Sequence, residues 1–149
     1  MIPKKILCLL IFLVCIFNIT FGQDNYSGKK LTTEEYLKLA SKYEKEGDIK
    51  EATRYINTIG IIAWEEKDYS NAIDFFNRSI ALNELIDNKG GISKLHSNLG
   101  MIYSDIEDYE KSLDYFQQAL DYRLEFGERT EIISTYINKA VVLNSLEQY

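Results

Sequence analysis

The sequence predicts an all-α fold in which antiparallel helix-turn-helix repeats stack as an α-solenoid of about six helices. A pattern of apolar, small and aromatic residues at 59–80 returns at the same offsets 40 positions later, at 99–120. The single proline lies at position 3, so the rest of the chain has no helix breaker of that kind. A chain with such a repeat is expected to build a row of similar units, each packed on the next.

The first 22 residues, MIPKKILCLLIFLVCIFNITFG, have the layout of a secretory signal peptide. Lys4 and Lys5 precede an apolar run at 6–17, and the small residues Thr20 and Gly22 lie before the expected cleavage point. The run is short for a membrane span, which needs about 20 apolar residues. We therefore predict cleavage and a short flexible linker at 23–30, with a retained membrane anchor as the alternative.

Composition excludes several classes of function for the cleaved chain. Cleavage would lower the Lys and Arg count from 17 to 15 against 23 acidic residues, a formal charge of −8. An acidic chain without a basic stripe argues against nucleic acid and against anionic membrane surfaces. Both cysteines, Cys8 and Cys15, lie in the cleaved segment, so we expect no disulfide and no cysteine nucleophile.

The repeat unit predicts two helices joined by a tight turn. In the second copy the small Gly100 lies where two helices approach closely, and the large Phe116 fills the space between them. Asp105 to Asp108, the sequence DIED, provides polar residues that cap the turn. The predicted helices cover 31–46, 49–66, 69–86, 91–106, 109–126 and 129–147.

The same period divides the chain into a half repeat, two whole repeats and a third that stops early. These units cover 31–48, 49–88, 89–128 and 129–149. The last helix would then lack the partner that normally covers it. We expect its end of the array to be marginally stable or to self-associate.

The repeated residues resemble the tetratricopeptide repeat, in the variant of about 40 residues found in kinesin light chains and bacterial periplasmic sensor proteins. The resemblance covers about 31–149. Glu107 replaces the usual turn glycine and Ser112 the usual alanine, and the first copy has Ala63 in place of tyrosine. The matching residues are Leu99, Gly100, Tyr103, Asp108, Tyr109, Phe116, Ala119 and Leu120.

The resemblance implies a concave face, lined by the first helix of each pair, that binds a protein or peptide. We hypothesise that Asn98 and Asn138 hydrogen-bond the backbone of an extended or helical peptide, because an amide both donates and accepts. The alternative is that the lining residues are ordinary solvated side chains. The candidate peptide-binding residues are Arg54, Asn57, Trp64, Lys94, Asn98, Met101, Asp105 and Asn138.

The sequence gives little support for a carboxylate clamp, a metal site or catalysis. Arg54 and Lys94 are the only basic lining residues, too few for the clamp that some members use on a carboxylate. Trp64 and Met101 fit helix packing or partial burial better than an apolar binding patch, and His96, the only histidine, fits packing better than a metal site. No phosphate loop or catalytic triad motif is present, so we predict no enzymatic activity, no metal and no cofactor.

These observations predict a non-enzymatic scaffold, secreted or periplasmic, that binds a protein or peptide. The composition and the Phe21-Gly22-Gln23 sequence resemble those of Bacteroidetes-type bacteria. The alternative is the sensor fragment of a bacterial two-component signalling protein, with its histidine kinase or DNA-binding output elsewhere. A nonfunctional truncated copy is a third interpretation.

Overall fold

A computed structural model describes residues 31–127 and 129–147 of the chain. Within these residues there are six α-helices and no strand, which confirms the all-α prediction, and every helix end lies within two residues of its predicted position. The predicted signal peptide and the linker at 23–30 lie outside the described residues. The helices are α1 (Thr33–Glu46), α2 (Ile49–Glu65), α3 (Tyr69–Leu85), α4 (Lys89–Asp105), α5 (Tyr109–Phe126) and α6 (Arg129–Leu146).

Side-chain caps start the helices at intervals of 20 residues. The carboxylate or amide of each capping residue accepts a hydrogen bond from the backbone N–H three residues further on, at 3.1 to 3.3 Å. Each such cap stabilises a helix start by about 1 kcal/mol. The capping residues are Asp48, Asp68, Asn88 and Asp108. Asp108 shows that DIED forms a capped turn, as the sequence indicated.

The residue before each cap adopts a left-handed backbone conformation that ends the preceding helix. Its φ is 78° at Gly47, 62° at Lys67, 49° at Asp87 and 65° at Glu107. This conformation costs a non-glycine residue about 1–2 kcal/mol. Three of these turns are therefore strained, including the one where Glu107 replaces the usual glycine.

Glycines on the first helix of each whole repeat admit a phenylalanine ring from the second. A Cβ atom on Gly60 would lie 2.6 Å from the ring of Phe76, and one on Gly100 would lie 2.9 Å from the ring of Phe116. Ser112 completes the second contact, because its buried hydroxyl donates a 2.7 Å hydrogen bond to the Gly100 carbonyl. The predicted small-large packing is confirmed, and the serine that departs from the repeat pattern has a partner.

Helix α4 begins two residues earlier than predicted. Asn88 caps it and also donates a 2.6 Å hydrogen bond to the Asn83 side chain, whose own amide nitrogen donates to the Ser79 carbonyl. A Cβ atom on Gly91 would lie 2.5 Å from Asn83 Oδ1. Gly91 therefore belongs to the first turn of the helix, where this pair of asparagines needs the space.

Two apolar clusters hold the first four helices in sequence. Ala40, Ile56 and Ile59 join α1 to α2, with Tyr36 packed beside them. A second cluster joins α2, α3 and α4 around Phe76. Helix α6 packs mainly against α5. In the described part of the chain, no helix combines the length and the apolar character that a membrane crossing requires.

Candidate peptide-binding surface

The first helices of successive repeats, α2, α4 and α6, are linked side by side. Trp64 Nε1 on α2 donates a 2.7 Å hydrogen bond to Asp105 Oδ2 on α4. Near the opposite end of α4, Lys94 Nζ lies 3.6 Å from Glu131 Oε1 on α6. We call the face that these three helices form the groove face. All eight predicted binding residues lie on these three helices.

Trp64 and Asp105 form the link between the two whole repeats. The half-buried Trp64 ring packs against the apolar cluster of α2, α3 and α4, which confirms the packing interpretation. Burial raises the pKa of the Asp105 carboxyl, while the Trp64 hydrogen bond and the charge of Lys67 oppose that rise. Because the indole N–H is already bonded, a ligand on this face would contact the Trp64 ring only.

Both basic residues of the groove face are paired with carboxylates. Arg54 donates to Glu51 Oε2 at 2.7 Å and 3.0 Å, and its guanidinium lies 4.7 Å from the centre of the Tyr55 ring. Lys94 is paired with Glu131, as described above. Such exposed pairs contribute about 0–1 kcal/mol each to stability, but they neutralise the charge that an acidic ligand would need.

Two unpaired amides occupy the same repeat position on neighbouring helices. Asn98 on α4 and Asn138 on α6 are half-buried, and neither side chain forms a hydrogen bond with any residue in the described ranges. On α2 this position is Thr58, whose hydroxyl donates to the Arg54 carbonyl at 2.9 Å. Among the residues that the structure describes, the amides of Asn98 and Asn138 are therefore left without a hydrogen-bond partner.

The two remaining predicted residues are less open to solvent than the exposed charges around them. Asn57 is half-buried, and its Oδ1 atom has no hydrogen-bond partner among the described residues. Met101 is also half-buried, one turn after Asn98. Met101 therefore belongs to the floor of the groove face, whereas Asn57 occupies the same repeat position as the buried Ser97 and is less accessible to a ligand.

His96 lies in an aromatic contact outside the groove face. Its ring centre is 5.9 Å from that of Tyr115 and 6.3 Å from that of Tyr122. Burial lowers the pKa of His96, and the charges of Glu84 and Asp114 oppose that shift. The packing interpretation of His96 is confirmed, and the described residues contain no cluster of three groups that could hold a metal ion.

Sequence reasoning missed the partners of the groove-face charges. The spacing of Glu51 and Arg54, three residues apart on one helix, would have predicted their pairing. No comparable signal marks Glu131, because its contact with Lys94 depends on how α6 lies beside α4. The Trp64–Asp105 bond was missed for the same reason, although both residues had been named.

Solved structures of several proteins share this fold at low sequence identity. BtubC (BKLC) from P. vanneervenii is 16% identical with a TM-score of 0.58, over 91% of this chain and 64% of its own. The apo form of RapI is 14% identical with a TM-score of 0.53, over 99% of this chain and 60% of its own. The N-terminal domain of stress-induced protein-1 from C. elegans is 14% identical with a TM-score of 0.50, over 74% of this chain and 99% of its own.

These likenesses concern the fold alone, and this chain spans less than two thirds of BtubC and of RapI. No curated protein sequence matches it. A tetratricopeptide repeat profile matches residues 51–125, just over half of the 149 residues. Repeats of this kind generally mediate protein–protein interaction, and the proteins that carry them are generally non-catalytic scaffolds. With six helices in the expected repeat and a profile over both whole copies, the chain belongs to the tetratricopeptide repeat family.

Proposed function

We propose that this chain is a non-catalytic scaffold that binds an extended or helical peptide on its groove face. The observation that carries the proposal is the matched pair of amides, Asn98 and Asn138, at one repeat position on α4 and α6. Each is half-buried and unbonded within the described residues. An amide in that state can both donate to and accept from a peptide backbone, without first breaking a bond inside the protein.

The floor of the groove face suits the side chains of such a peptide. Met101 follows Asn98 by one turn, and the Trp64 ring lies at the end of the face near Asp105. Methionine is a flexible apolar contact that adapts to different ligand shapes. We therefore expect Asn98 and Asn138 to hydrogen-bond the backbone of the peptide, and Met101 to contact its side chains.

Replacing both amides tests the proposal. A displayed library of random peptides is selected on the full chain, and the selected peptides are titrated against the Asn98→Ala/Asn138→Ala double variant. We expect affinity to fall about tenfold or more, because each lost hydrogen bond contributes about 1 kcal/mol. Asn77→Ala, an exposed asparagine on α3, is the matched control and should bind as the unmodified chain does. Equal binding by the double variant would refute the role of the amides.

The pairing of Arg54 and Lys94 adds a second expectation about the ligand. Because both cations already face carboxylates, a free peptide C-terminus should gain no binding energy here. Peptides with a free and an amidated C-terminus should therefore bind equally in the same titration. A strong preference for the free carboxylate would contradict this form of binding.

We also propose that the scaffold works outside the cytoplasm, after cleavage near residue 22. The layout of 1–22 supports this proposal. Cell fractionation followed by N-terminal sequencing of the mature protein tests it, and a retained N-terminus in the membrane fraction would favour the anchored alternative. The coding sequence after Tyr149 tests the sensor alternative, since an in-frame membrane helix and output module would support it.

A further inference from the structure

A small cavity lies where α4 and α6 begin and α5 ends. Its volume is about 50 Å³, which is room for a carboxylate group or for one or two water molecules. Ser93 and Arg123, both almost completely buried, form part of its wall, and Lys89 and Glu131 form a more exposed part. We call it the Arg123 cavity. Among the described residues, none of the eight candidate peptide-binding residues lines it, so it is separate from the proposed peptide site.

The guanidinium of Arg123 is buried with one of its donors unused. Only 7% of the residue is exposed. Its Nη1 atom donates to the Thr135 hydroxyl and the Glu131 carbonyl, whereas its Nε atom has no hydrogen-bond partner among the described residues. Burial lowers the pKa of Arg123, and the charge of Glu131 opposes that shift. Because a guanidinium donates and never accepts, its buried Nε–H group needs an acceptor.

Ser93 adds a second unused polar group to the same wall. It is 3% exposed, and its Oγ atom has no hydrogen-bond partner among the described residues. At the same repeat position on α2, Thr53 donates its hydroxyl to the Ile49 carbonyl at 2.7 Å. Since buried hydroxyls are nearly always hydrogen-bonded, Ser93 also requires a partner that the described residues do not supply.

The preceding repeat satisfies the same position with its own side chains. Forty residues before Arg123 lies Asn83, which is buried and neutral. Asn83 Nδ2 donates to the Ser79 carbonyl at 2.8 Å, and Asn83 Oδ1 accepts from Asn88 at 2.6 Å. Packing between repeats therefore does not require a cation here, and the charge of Arg123 has another role.

The charges around the cavity favour an anion. Lys89 is exposed, with its Nζ atom 5.0 Å from the centre of the Phe126 ring. Glu131 is the acidic residue among the described lining residues, and its carboxylate lies 3.6 Å from Lys94 Nζ. Two cations, Lys89 and Arg123, therefore border the cavity beside one carboxylate that already has a partner.

We propose that the Arg123 cavity binds a carboxylate, from a free small molecule or from an acidic side chain of a protein ligand. The carboxylate oxygens accept from Arg123 Nε and Ser93 Oγ, and Lys89 adds a positive charge at the more exposed side. Such charge-assisted hydrogen bonds are stronger than neutral ones. The site does not depend on peptide binding at the groove face.

Side-chain NMR of the full chain, labelled with ¹⁵N-arginine, tests the proposal. The four arginines each give their own Nε–H signal. Sodium formate, added at constant ionic strength, should shift the Arg123 signal with a dissociation constant of about 1–10 mM. The signal of Arg78, an exposed arginine paired with Glu44, should not shift. Formamide, which is uncharged and similar in size, should shift neither signal.

A serine substitution locates the bound carboxylate while the Arg123 signal stays observable. Ser93→Ala should raise the formate dissociation constant about fivefold, because one hydrogen bond to the anion is lost. Ser70→Ala, at an exposed serine on α3, is the matched control and should leave the constant unchanged. Helix content by circular dichroism, unchanged in both variants, shows that folding is not the cause.

Two blocked peptides distinguish the sources of the carboxylate. Acetylated and amidated Gly-Glu-Gly and Gly-Gln-Gly have uncharged ends and differ in the central side chain. Binding of Gly-Glu-Gly alone of the two, at least as tightly as formate, supports a protein side chain, and binding of formate without Gly-Glu-Gly supports a free small molecule. No saturable shift of the Arg123 signal up to about 100 mM of formate or Gly-Glu-Gly, an equal shift with formamide, or an unchanged constant in Ser93→Ala would each overturn the proposal.

Discussion

Helices α4 and α6 are the same element of two successive repeats, yet they differ in what covers them. On α4 the side chains of Ser93 and Ser97 are buried, although their hydroxyls have no hydrogen-bond partner among the described residues. On α6 the same positions are Ile133 and Ile137, and both are exposed. Burial in this array is therefore set by the neighbouring helix more than by the hydropathy of the residue.

The contact between α5 and α4 explains how the buried face of α4 tolerates polar residues such as Ser93 and Ser97. The Phe116 ring on Gly100 and the Ser112 hydroxyl on the Gly100 carbonyl fix the distance between the helices. Once that distance is fixed, small side chains such as Ser93 and Ser97 fit beneath α5. The following experiments remove the Phe116 ring, crowd its contact with Gly100, protonate His96 and relax the turn at Glu107.

Removing the ring that covers α4 should have the largest effect. Phe116→Ala deletes a buried side chain and leaves a cavity over Gly100, so we expect the free energy of unfolding to fall by about 3–5 kcal/mol. Urea denaturation measures the change. Leu124→Ala on the same helix is the control, since Leu124 is 57% exposed, and it should change stability by about 0.5 kcal/mol or less. Similar losses in both variants would mean that α5 is not the cover of α4.

Crowding the same contact should have an intermediate effect. Gly100→Ala places a methyl group 2.9 Å from the Phe116 ring, and overpacking of this kind costs about 1–3 kcal/mol. Gly90→Ala is a control in the same helix, because its Cβ would meet only Asn88 Oδ1, at 3.9 Å. It should stabilise the protein by up to about 1 kcal/mol through helix propensity. Urea denaturation that gave the same sign for both variants would contradict this account of Gly100.

Protonation of His96 at acid pH should have a smaller effect on stability. His96 on α4 lies at the same repeat position as Tyr136 on α6. Burial lowers the pKa of His96 from 6.5, so the unfolded chain binds this proton more tightly than the folded chain does. The contribution of His96 to stability is complete above about pH 6.5 and is lost as the pH falls through the folded pKa. Urea midpoints at about pH 7.5 and 5.5 should therefore differ more for the unmodified chain than for His96→Gln. An equal pH dependence in the two proteins would show that His96 is not buried in its neutral form.

Substitution in the turn between α4 and α5, at Glu107, should give the smallest change in stability. Glu107→Gly relieves a φ of 65°, but glycine also has more freedom in the unfolded chain, so we expect a gain of at most about 1 kcal/mol. Thermal unfolding measures it. Glu110→Gly, inside the first turn of α5, should instead lose up to about 1 kcal/mol. A loss at Glu107 would mean that its side chain does more for the turn than its backbone conformation costs.

The sequence was sufficient to predict the helices and their pairing, because both depend on short-range patterns. Caps at 20-residue intervals and a small residue opposite a large one can be recognised within a single repeat. The contacts across repeats could not be predicted in this way. Trp64 meets Asp105, and Lys94 meets Glu131, only when the angle between neighbouring first helices is known. The amides of Asn98 and Asn138 were partly predictable. The 40-residue period shows that they share a repeat position, but it does not show that they lack hydrogen bonds among the described residues.

The bond between Trp64 and Asp105 gives the protein an optical signal. Trp64 is the only tryptophan in the chain, and its indole N–H bridges the two whole repeats. Indole emission depends on hydrogen bonding and on solvent contact. A change in the angle between α2 and α4 should therefore shift the wavelength of the Trp64 emission maximum. A peptide that bends or straightens the array would then be detected without a label, and Asp105→Ala, which removes the acceptor of the indole N–H, would tell bending apart from direct contact with the ring.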